Sequence, residues 1–90
     1  MKSISFGNYK NVIGKALLKA RTEKNMLQAE LAAKMQVLNV NIDQQMISKI
    51  EKNQRQVTDY EFACFCLRLN ISTDEMLEEF YKIADIEVNN

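Results

Sequence analysis

The sequence predicts an all-α domain of five helices, and three observations support that prediction. The 90-residue chain has no proline and only two glycines, so few residues interrupt a helix. Its apolar residues recur at helical spacing over long segments. The stretches TDYE at residues 58–61 and STDE at residues 72–75 have the form of capping boxes, which mark helix starts. A chain of this length supports one core, so we expect a polar lead-in over residues 1–10 and a single domain over residues 11–90.

Each helix has its own signals in the sequence. Helix one is predicted over about residues 11–24, where Ile13, Leu17 and Ala20 form an apolar stripe. Helix two runs from about residue 28 to between residues 36 and 38. Helix three covers about residues 44–52 and follows Asp43, whose side chain is a good N-cap. Helix four starts at the first capping box and ends near Asn70, and helix five starts at the second capping box.

The connection between helices two and three is long and apolar. It reads VLNVNID, from Val37 to Asp43. A freely mobile loop would not carry Val37, Leu38, Val40 and Ile42 together, so we expect at least two of these four side chains to pack on the domain. The asparagines between them are expected to face outward.

Composition argues against several classes of function. The chain contains no histidine, and Cys64 and Cys66 lie two residues apart on an apolar helix. That spacing fits neither a zinc site nor a redox CxxC pair, so we interpret both cysteines as packing residues and expect no metal or cofactor. No nucleophile stands beside a base, which argues against an enzyme. The longest apolar run, residues 62–67, is too short to span a bilayer, and no signal peptide precedes it, so we expect a cytoplasmic protein.

The zero net charge conceals a division of the chain into a basic part and an acidic part. Residues 1–56 carry ten bases and four acids, whereas residues 57–90 carry two bases and eight acids. The net charges of the two parts are therefore +6 and −6. A basic face suits a polyanion, with the acidic end turned away from it. Mixed charges that only solvate helices explain the acidic part equally well.

Glutamines stand at the predicted starts of helices two and three. Gln28 opens helix two, and Gln44 and Gln45 open helix three. A glutamine amide can donate to and accept from one adenine edge at once, so glutamines at a helix start suit reading of the major groove. Any one of them alone is more often a solvated surface residue. The interpretation as a DNA-reading surface therefore depends on the residues around them.

Four segments occur in an informative order along the chain: IGKALLKAR, LQAELAAKM, QQMISKIEKNQR and LRLNISTDEML. Together they resemble the helix-turn-helix domain of the phage lambda Cro/C1 repressor type, the XRE class, from about Ile13 to Leu77. The resemblance implies a lambda repressor-like fold in which helix three lies in the major groove and helix two crosses above it against the phosphates. It therefore implies a sequence-specific transcriptional regulator that binds double-stranded DNA, and it favours a repressor.

The resemblance also implies roles for individual residues. Gln44 and Gln45 match the first base-reading positions of the family, and Lys49, one turn later, matches a position that reaches bases or phosphate. Gln28 matches a glutamine that binds a backbone phosphate and can brace the first recognition glutamine, here Gln44. Further phosphate contacts are implied for the loop after helix three, through side chains and backbone N–H groups, at Lys52, Asn53 and Arg55.

An ion pair between helix one and the end of helix three is implied in the same way. Arg21 and Glu51 match positions that form a partly buried pair in the family. Such a pair orients the recognition helix more than it adds stability, because desolvation offsets much of the attraction. The chain departs from the family pattern in its lengthened connection between helices two and three. It also has Asn53 where glycine is preferred, which asparagine tolerates because it visits the left-handed region.

The C-terminal helix carries more apolar residues than one small core absorbs, so we expect a homodimer through helix five and the tail after it. One recognition helix reads few base pairs, whereas a two-fold dimer reads two half-sites. The predicted interface residues are Leu77, Phe80, Tyr81, Ala84, Ile86 and Val88. In the alternative interpretation, helix five only closes the core of the monomer. The alternative function is a protein-interaction module, such as an antitoxin or a repressor antagonist, that binds a protein partner through the acidic C-terminal half.

Overall fold

The computed structural model describes residues 8–89 of the chain, and their side chains as far as residue 84. It contains five α-helices and, in this range, no strand: α1 (Gly14–Glu23), α2 (Gln28–Val37), α3 (Gln44–Glu51), α4 (Asp59–Leu69) and α5 (Thr73–Asn89). Helix α3 packs on α1 and α2, whereas α4 packs on α1, α2 and α5. The predicted all-α class with five helices is confirmed.

The core draws apolar side chains from all five helices. The largest fully buried side chain is Phe65 of α4. The other fully buried side chains are Leu17, Leu31, Met35, Ile42, Ile47, Ile50, Leu69 and Met76. Each such side chain contributes roughly 1.5–3 kcal/mol to folding relative to an exposed one. Because Ile47 and Ile50 lie on the same side of α3, core packing fixes which face of α3 points outward.

Four asparagines end the first four helices. Asn25, Asn39, Asn53 and Asn70 have φ angles of 54°, 62°, 60° and 51°, in the left-handed region. After each of them the next N–H returns to a carbonyl five residues earlier, as from Val40 to Met35 at 3.1 Å. This is the Schellman arrangement, in which glycine is the commonest left-handed residue and asparagine is the usual substitute. The helix ends expected at Asn25 and Asn70 are therefore present.

Side-chain caps begin three of the helices. The Asp43 carboxylate accepts the N–H of Met46 at 2.8 Å at the start of α3. Thr58 and Glu61 form the reciprocal capping box of α4. At the start of α5, the hydroxyl of Ser72 accepts the N–H of Glu75 at 3.0 Å. The two capping stretches seen in the sequence therefore mark real helix starts.

The connection between α2 and α3 is packed on the domain. Val40 and Ile42 are buried, and Leu38 is partly buried against the core. The side-chain amide of Gln36 donates to the carbonyl of Ile42 at 3.0 Å, which ties the loop to the end of α2. The two asparagines of the loop are exposed. The expectation that at least two apolar side chains of this loop pack on the domain is confirmed.

Replacing Val40 and Ile42 together by serine should lower the melting temperature by about 10 °C or more. Each change removes roughly 1.5–3 kcal/mol of apolar burial, and 1 kcal/mol corresponds to about 4–8 °C in a domain of this size. The matched control is Val37→Ser, because Val37 is 75 % exposed, and it should change the melting temperature little. Equal melting temperatures for the double variant and the control would show that the loop is detached from the core.

Candidate nucleic-acid interface

Helix α3 has one buried face and one exposed polar face. Its buried face consists of Ile47 and Ile50, which pack against α1 and α2. The exposed side chains of α3 and of its C-cap are all polar or basic, namely Gln44, Gln45, Lys49 and Lys52. We call these four residues the α3 face. It combines amides that can read base edges with ammonium groups that can bind phosphate.

The carboxylate of Glu51 joins the last turn of α3 to α1 and to α2. Arg21 donates to it twice, from Nε to Oε2 at 2.7 Å and from Nη2 to Oε1 at 3.0 Å. Gln28 donates from Nε2 to Oε1 at 2.9 Å. The side chains of Arg21 and Glu51 are only 11 % and 5 % exposed. We call these three residues the Glu51 network. It ties the start of α2 and the last turn of α1 to the end of α3.

Arg21 and Gln28 have further roles in this network. The Nη1 group of Arg21 donates to the carbonyl of Met26 at 2.7 Å, so the guanidinium also holds the turn between α1 and α2. The expected support of Gln44 by Gln28 is not what the structure has, because the amide of Gln28 is directed to Glu51 instead. One N–H of that amide remains available as a donor, because a glutamine amide has two.

Asn53 joins the end of α3 to the chain before α1. Its Oδ1 accepts the N–H of Lys10 at 2.7 Å, and its Nδ2 donates to the carbonyl of Asn8 at 2.8 Å. Its own N–H donates to the carbonyl of Ile50 at 3.0 Å. These bonds leave Asn53 one amide hydrogen, and its expected phosphate contact stays a prediction. The residue fastens residues 8–10 to the loop after α3.

Asn11 and Gly14 set the distance between the start of α1 and the end of α3. Asn11 Oδ1 accepts the N–H of Gly14 at 2.7 Å, while its Nδ2 donates to the carbonyls of Ile50 at 3.0 Å and Arg55 at 2.9 Å. A Cβ atom on Gly14 would lie 2.5 Å from the carbonyl oxygen of Ile50. Sequence reasoning did not assign these two residues a role. A glycine inside a predicted helix was the available signal, because it lowers helix stability and needs a packing reason.

Arg55 is engaged in an ion pair rather than left free for phosphate. Its Nη1 and Nη2 donate to the two oxygens of Glu61 at 2.9 and 3.1 Å, and Nη1 also donates to the carbonyl of Gln56 at 2.8 Å. These bonds use three of the five guanidinium hydrogens. The side chain of Arg55 thereby holds the loop after α3 against α4, and its expected phosphate contact, with two guanidinium hydrogens unused, stays a prediction.

Glu61 is buried, and burial alone raises the pKa of its carboxyl group. Hydrogen bonds from Arg55 and from the N–H of Thr58 outweigh that effect, so the net pKa of Glu61 is lowered. The carboxylate is thereby kept ionised and able to serve as both cap and ion-pair partner. On the same helix, Cys66 is buried and Cys64 is half-buried. Burial raises the pKa of the Cys66 thiol, which fits a packing role.

The described part of the chain carries neither a candidate metal site nor a membrane-spanning helix. There, no group of three or more histidine, cysteine, aspartate or glutamate side chains comes together as a metal site. None of the described helices has the length and apolarity needed to cross a bilayer.

Comparison with protein families identifies the domain. A family model described as helix-turn-helix matches residues 17–76, which extend from α1 into α5. The chain belongs to the helix-turn-helix family of the Cro/C1 type. This is a family of DNA-binding regulators. Neither the search of curated proteins nor the search of solved structures gave a match.

In this helix-turn-helix domain the two motif helices are α2 and α3, joined by the packed loop of residues 38–43. The lengthened connection could have separated the two helices, but α2 and α3 remain in direct contact. The Glu51 network supplies a second tie between them, from the start of α2 to the end of α3. The longer loop therefore extends the connection between the two helices without detaching α3 from α2.

Gly14→Ala tests the contact between α1 and α3. Helix propensity alone predicts a gain of roughly 0.5–1 kcal/mol in stability for this change. The close approach to the Ile50 carbonyl predicts the opposite sign, with a loss on the order of 1–3 kcal/mol, because backbone atoms must shift. Thermal unfolding of the parent and the variant distinguishes the predicted gain in stability from the predicted loss. A stabilised variant would mean that the helices separate freely and that Gly14 does not set their distance.

Glu61→Gln tests the ion pair between the α3–α4 loop and α4. A carboxyl group whose folded pKa is lowered stabilises the fold above its unfolded pKa of about 4.3 and loses that contribution as the pH falls through the folded value. The parent should therefore lose stability between about pH 5 and pH 3, and the variant should lose less over this interval. At pH 7 the variant should be less stable by about 1–3 kcal/mol.

The matched control for this experiment is Glu30→Gln. Glu30 occupies the same position in the first turn of α2 and accepts the N–H of Leu27 at 2.9 Å, but it is exposed. Its replacement should change the stability at pH 7 by less than the replacement of Glu61. Denaturant titrations at several pH values measure both variants. Parallel stability curves for the parent and Glu61→Gln would contradict the assigned role.

Proposed function

We propose that this protein is a sequence-specific regulator of transcription that binds double-stranded DNA with α3 in the major groove. The observation that carries the proposal is the α3 face, a set of exposed amides and ammonium groups on a helix whose other side is buried through Ile47 and Ile50. A helix of eight residues is about 12 Å long, close to the width of the major groove. Repression is the simplest mode of action, because a bound domain excludes other proteins from its site.

We assign the reading of base edges to the first two turns of α3. Gln44 and Gln45 are exposed at its first turn, and Lys49 follows on the same face. Asp43 caps α3 by accepting the N–H of Met46, so neither glutamine side chain takes part in the cap hydrogen bond. An amide that donates and accepts in the plane of one base edge discriminates adenine from the other bases. Lys49 adds a guanine or phosphate contact one turn further along.

Phosphate binding is assigned to groups that flank the α3 face. Lys52 is exposed at the end of α3, and the second amide hydrogen of Gln28 is available near the start of α2. The N–H groups of Arg55 and Gln56 bond to no carbonyl or side chain among residues 8–84. Backbone N–H groups and lysines are common phosphate ligands. These contacts would place the domain on the duplex, and α3 would then supply the sequence preference.

Dimerisation through α5 is the second part of the proposal. Tyr81 and Ile83 are exposed, and Phe80 contacts Tyr81 with ring centroids 6.0 Å apart. Ala84 is half-buried, whereas Leu77 packs against the core and belongs in part to the monomer. The side chains of Ile86 and Val88 lie outside the described residues. A two-fold dimer would place two α3 helices about 34 Å apart, one turn of the duplex.

Substitution of the glutamines tests base reading. Gln44→Ala and Gln45→Ala should each weaken binding to the preferred duplex by about 1–3 kcal/mol and relax the preference at one base position. Lys52→Ala should instead weaken binding to all duplexes alike and reduce the salt slope by about one. The preferred duplex is obtained by selection from a random pool, and binding is measured at several salt concentrations. Glutamine variants that keep the parent's sequence preference would show that α3 does not read the bases.

Truncation after Glu79 tests dimerisation through α5. The first four helices should remain folded, because Met76 and Leu77 are retained. The shortened chain should sediment as a monomer at tens of micromolar and bind a palindromic site more weakly than the full chain. A single half-site, bound with equal affinity by both chains, is the control. A full chain that is monomeric at tens of micromolar and binds a half-site as tightly as a palindrome would rule out the dimer.

A further inference from the structure

Helix α4 is apolar around much of its circumference, although only one of its sides is buried in the chain. Its sequence is DYEFACFCLRL. Phe65 and Leu69 face the core and are fully buried, whereas Tyr60 is 59 % exposed and Leu67 is 65 % exposed. A helix that is hydrophobic all round is normally buried on every side. The outer side of α4 is therefore a candidate interaction surface.

The exposed apolar residues of α4 form a continuous stripe. Tyr60, Ala63, Cys64 and Leu67 are spaced at i, i+3, i+4 and i+7, so they lie on one face of the helix. Ala63 is exposed and Cys64 is half-buried. None of these positions is charged. We call the four residues the α4 stripe. Contiguous apolar exposure of this kind marks interaction sites on soluble proteins.

The order of side chains along the α4 stripe fits a second copy of the same chain. From Tyr60 to Leu67 it reads large, small, small, large. In an antiparallel pair related by a two-fold axis, the small residues of both copies meet at the centre and let the helices approach closely. Tyr60 of each copy then packs over Leu67 of the other. A two-fold contact needs a surface that is complementary to itself in this way.

Charges at the two ends of α4 favour the same arrangement. Asp59 lies in the first turn and Arg68 in the last turn. Antiparallel pairing brings the acidic first turn of one copy beside the basic last turn of the other, whereas parallel pairing brings like charges together. The Nε atom of Arg68 is buried and has no hydrogen-bond partner in the described part of the chain. The charges at the ends of α4 therefore favour a second copy of the chain as the partner and an antiparallel orientation of the two helices.

We propose that the α4 stripe is a self-association surface through which two copies of this chain pair antiparallel. The surface is distinct from the α3 face, because its exposed residues lie on α4, whereas α3 packs on α1 and α2. It is also separate from the dimer contact proposed for α5. Pairing through α4 therefore leaves the candidate DNA-binding surface open.

The size of the surface predicts weak pairing. The 11 residues of α4 span about 16 Å, so the contact is smaller than the roughly 800 Å² per partner of a stable complex. Pairing becomes effective where copies are held close together, as on neighbouring DNA sites, and would make binding to such sites cooperative. This last consequence rests on the proposed function, whereas the pairing itself does not.

Sedimentation of the full chain without DNA, from about 10 µM to 1 mM, tests the pairing in a range suited to weak complexes. Leu67→Ser should reduce the association constant at least about tenfold, because it removes an apolar contact from both copies. The matched control is Leu27→Ser, since Leu27 has the same exposure of 65 % but lies before α2. It should leave association unchanged. Melting temperatures of both variants check that the fold is intact.

Cysteine cross-linking tests the orientation. In a background with Cys64→Ser and Cys66→Ser, protein carrying Tyr60→Cys is mixed with protein carrying Leu67→Cys and oxidised mildly. Antiparallel pairing should give the mixed disulfide well above the statistical share and little of either self-disulfide. A statistical mixture of the three products would overturn the antiparallel pair.

Three outcomes of the sedimentation experiment would overturn the self-association surface. The first is a parent chain that stays monomeric over the whole concentration range. The second is association that Leu67→Ser and Leu27→Ser change alike. The third is association that survives Leu67→Ser but disappears on truncation after Glu79, which would assign the contact to α5 alone. None of these outcomes depends on DNA binding, so they are distinguishable from a failure of base reading by α3.

Discussion

The position of α3 depends on one carboxylate, that of Glu51. Its oxygens accept three hydrogen bonds, two from Arg21 on α1 and one from Gln28 on α2. The group is almost completely removed from solvent, so loss of a donor would leave a buried charge without compensation. Burial of Ile47 and Ile50 alone allows α3 to slide or rotate slightly on an apolar surface. Directional bonds at its last turn restrict those movements, which is how a few polar groups determine where the α3 face points.

A second set of bonds fixes the same end of α3 from the other side. Asn11 reaches the carbonyls of Ile50 and Arg55, and Asn53 holds the backbone of residues 8–10. Gly14 permits this approach because it has no Cβ. The C-terminal end of α3 is therefore fixed by α1, by α2 and by the chain before α1. Its N-terminal turn carries only the cap from Asp43 and exposes both glutamines. A helix fixed at one end and exposed at the other suits insertion of its first turns into a groove.

Local signals in the sequence predict the helices well. The same signals do not predict polar contacts between residues that are distant in sequence. The capping residues Asp43, Thr58 and Ser72 act within three residues of their own position, so their roles follow from spacing. The pair of Arg21 and Glu51 was accessible only through the resemblance to a family. The partners of Asn53 lie more than forty residues away in sequence, and no periodicity encodes such a distance. Arg55 and Glu61 are only six residues apart, but the capping stretch revealed the role of Glu61 as a cap and gave no sign of its second partner.

A double-mutant cycle on DNA affinity tests most directly whether the Glu51 network orients α3. The cycle compares the parent, Arg21→Met, Glu51→Gln and the double variant on the preferred duplex, under conditions where thermal unfolding shows all four folded. If the network orients α3, the double variant should bind about as weakly as either single variant. The coupling should then exceed the roughly 0–1 kcal/mol typical of exposed ion pairs. Additive effects of the two substitutions would contradict the account, because they would show that Arg21 and Glu51 act on α3 independently.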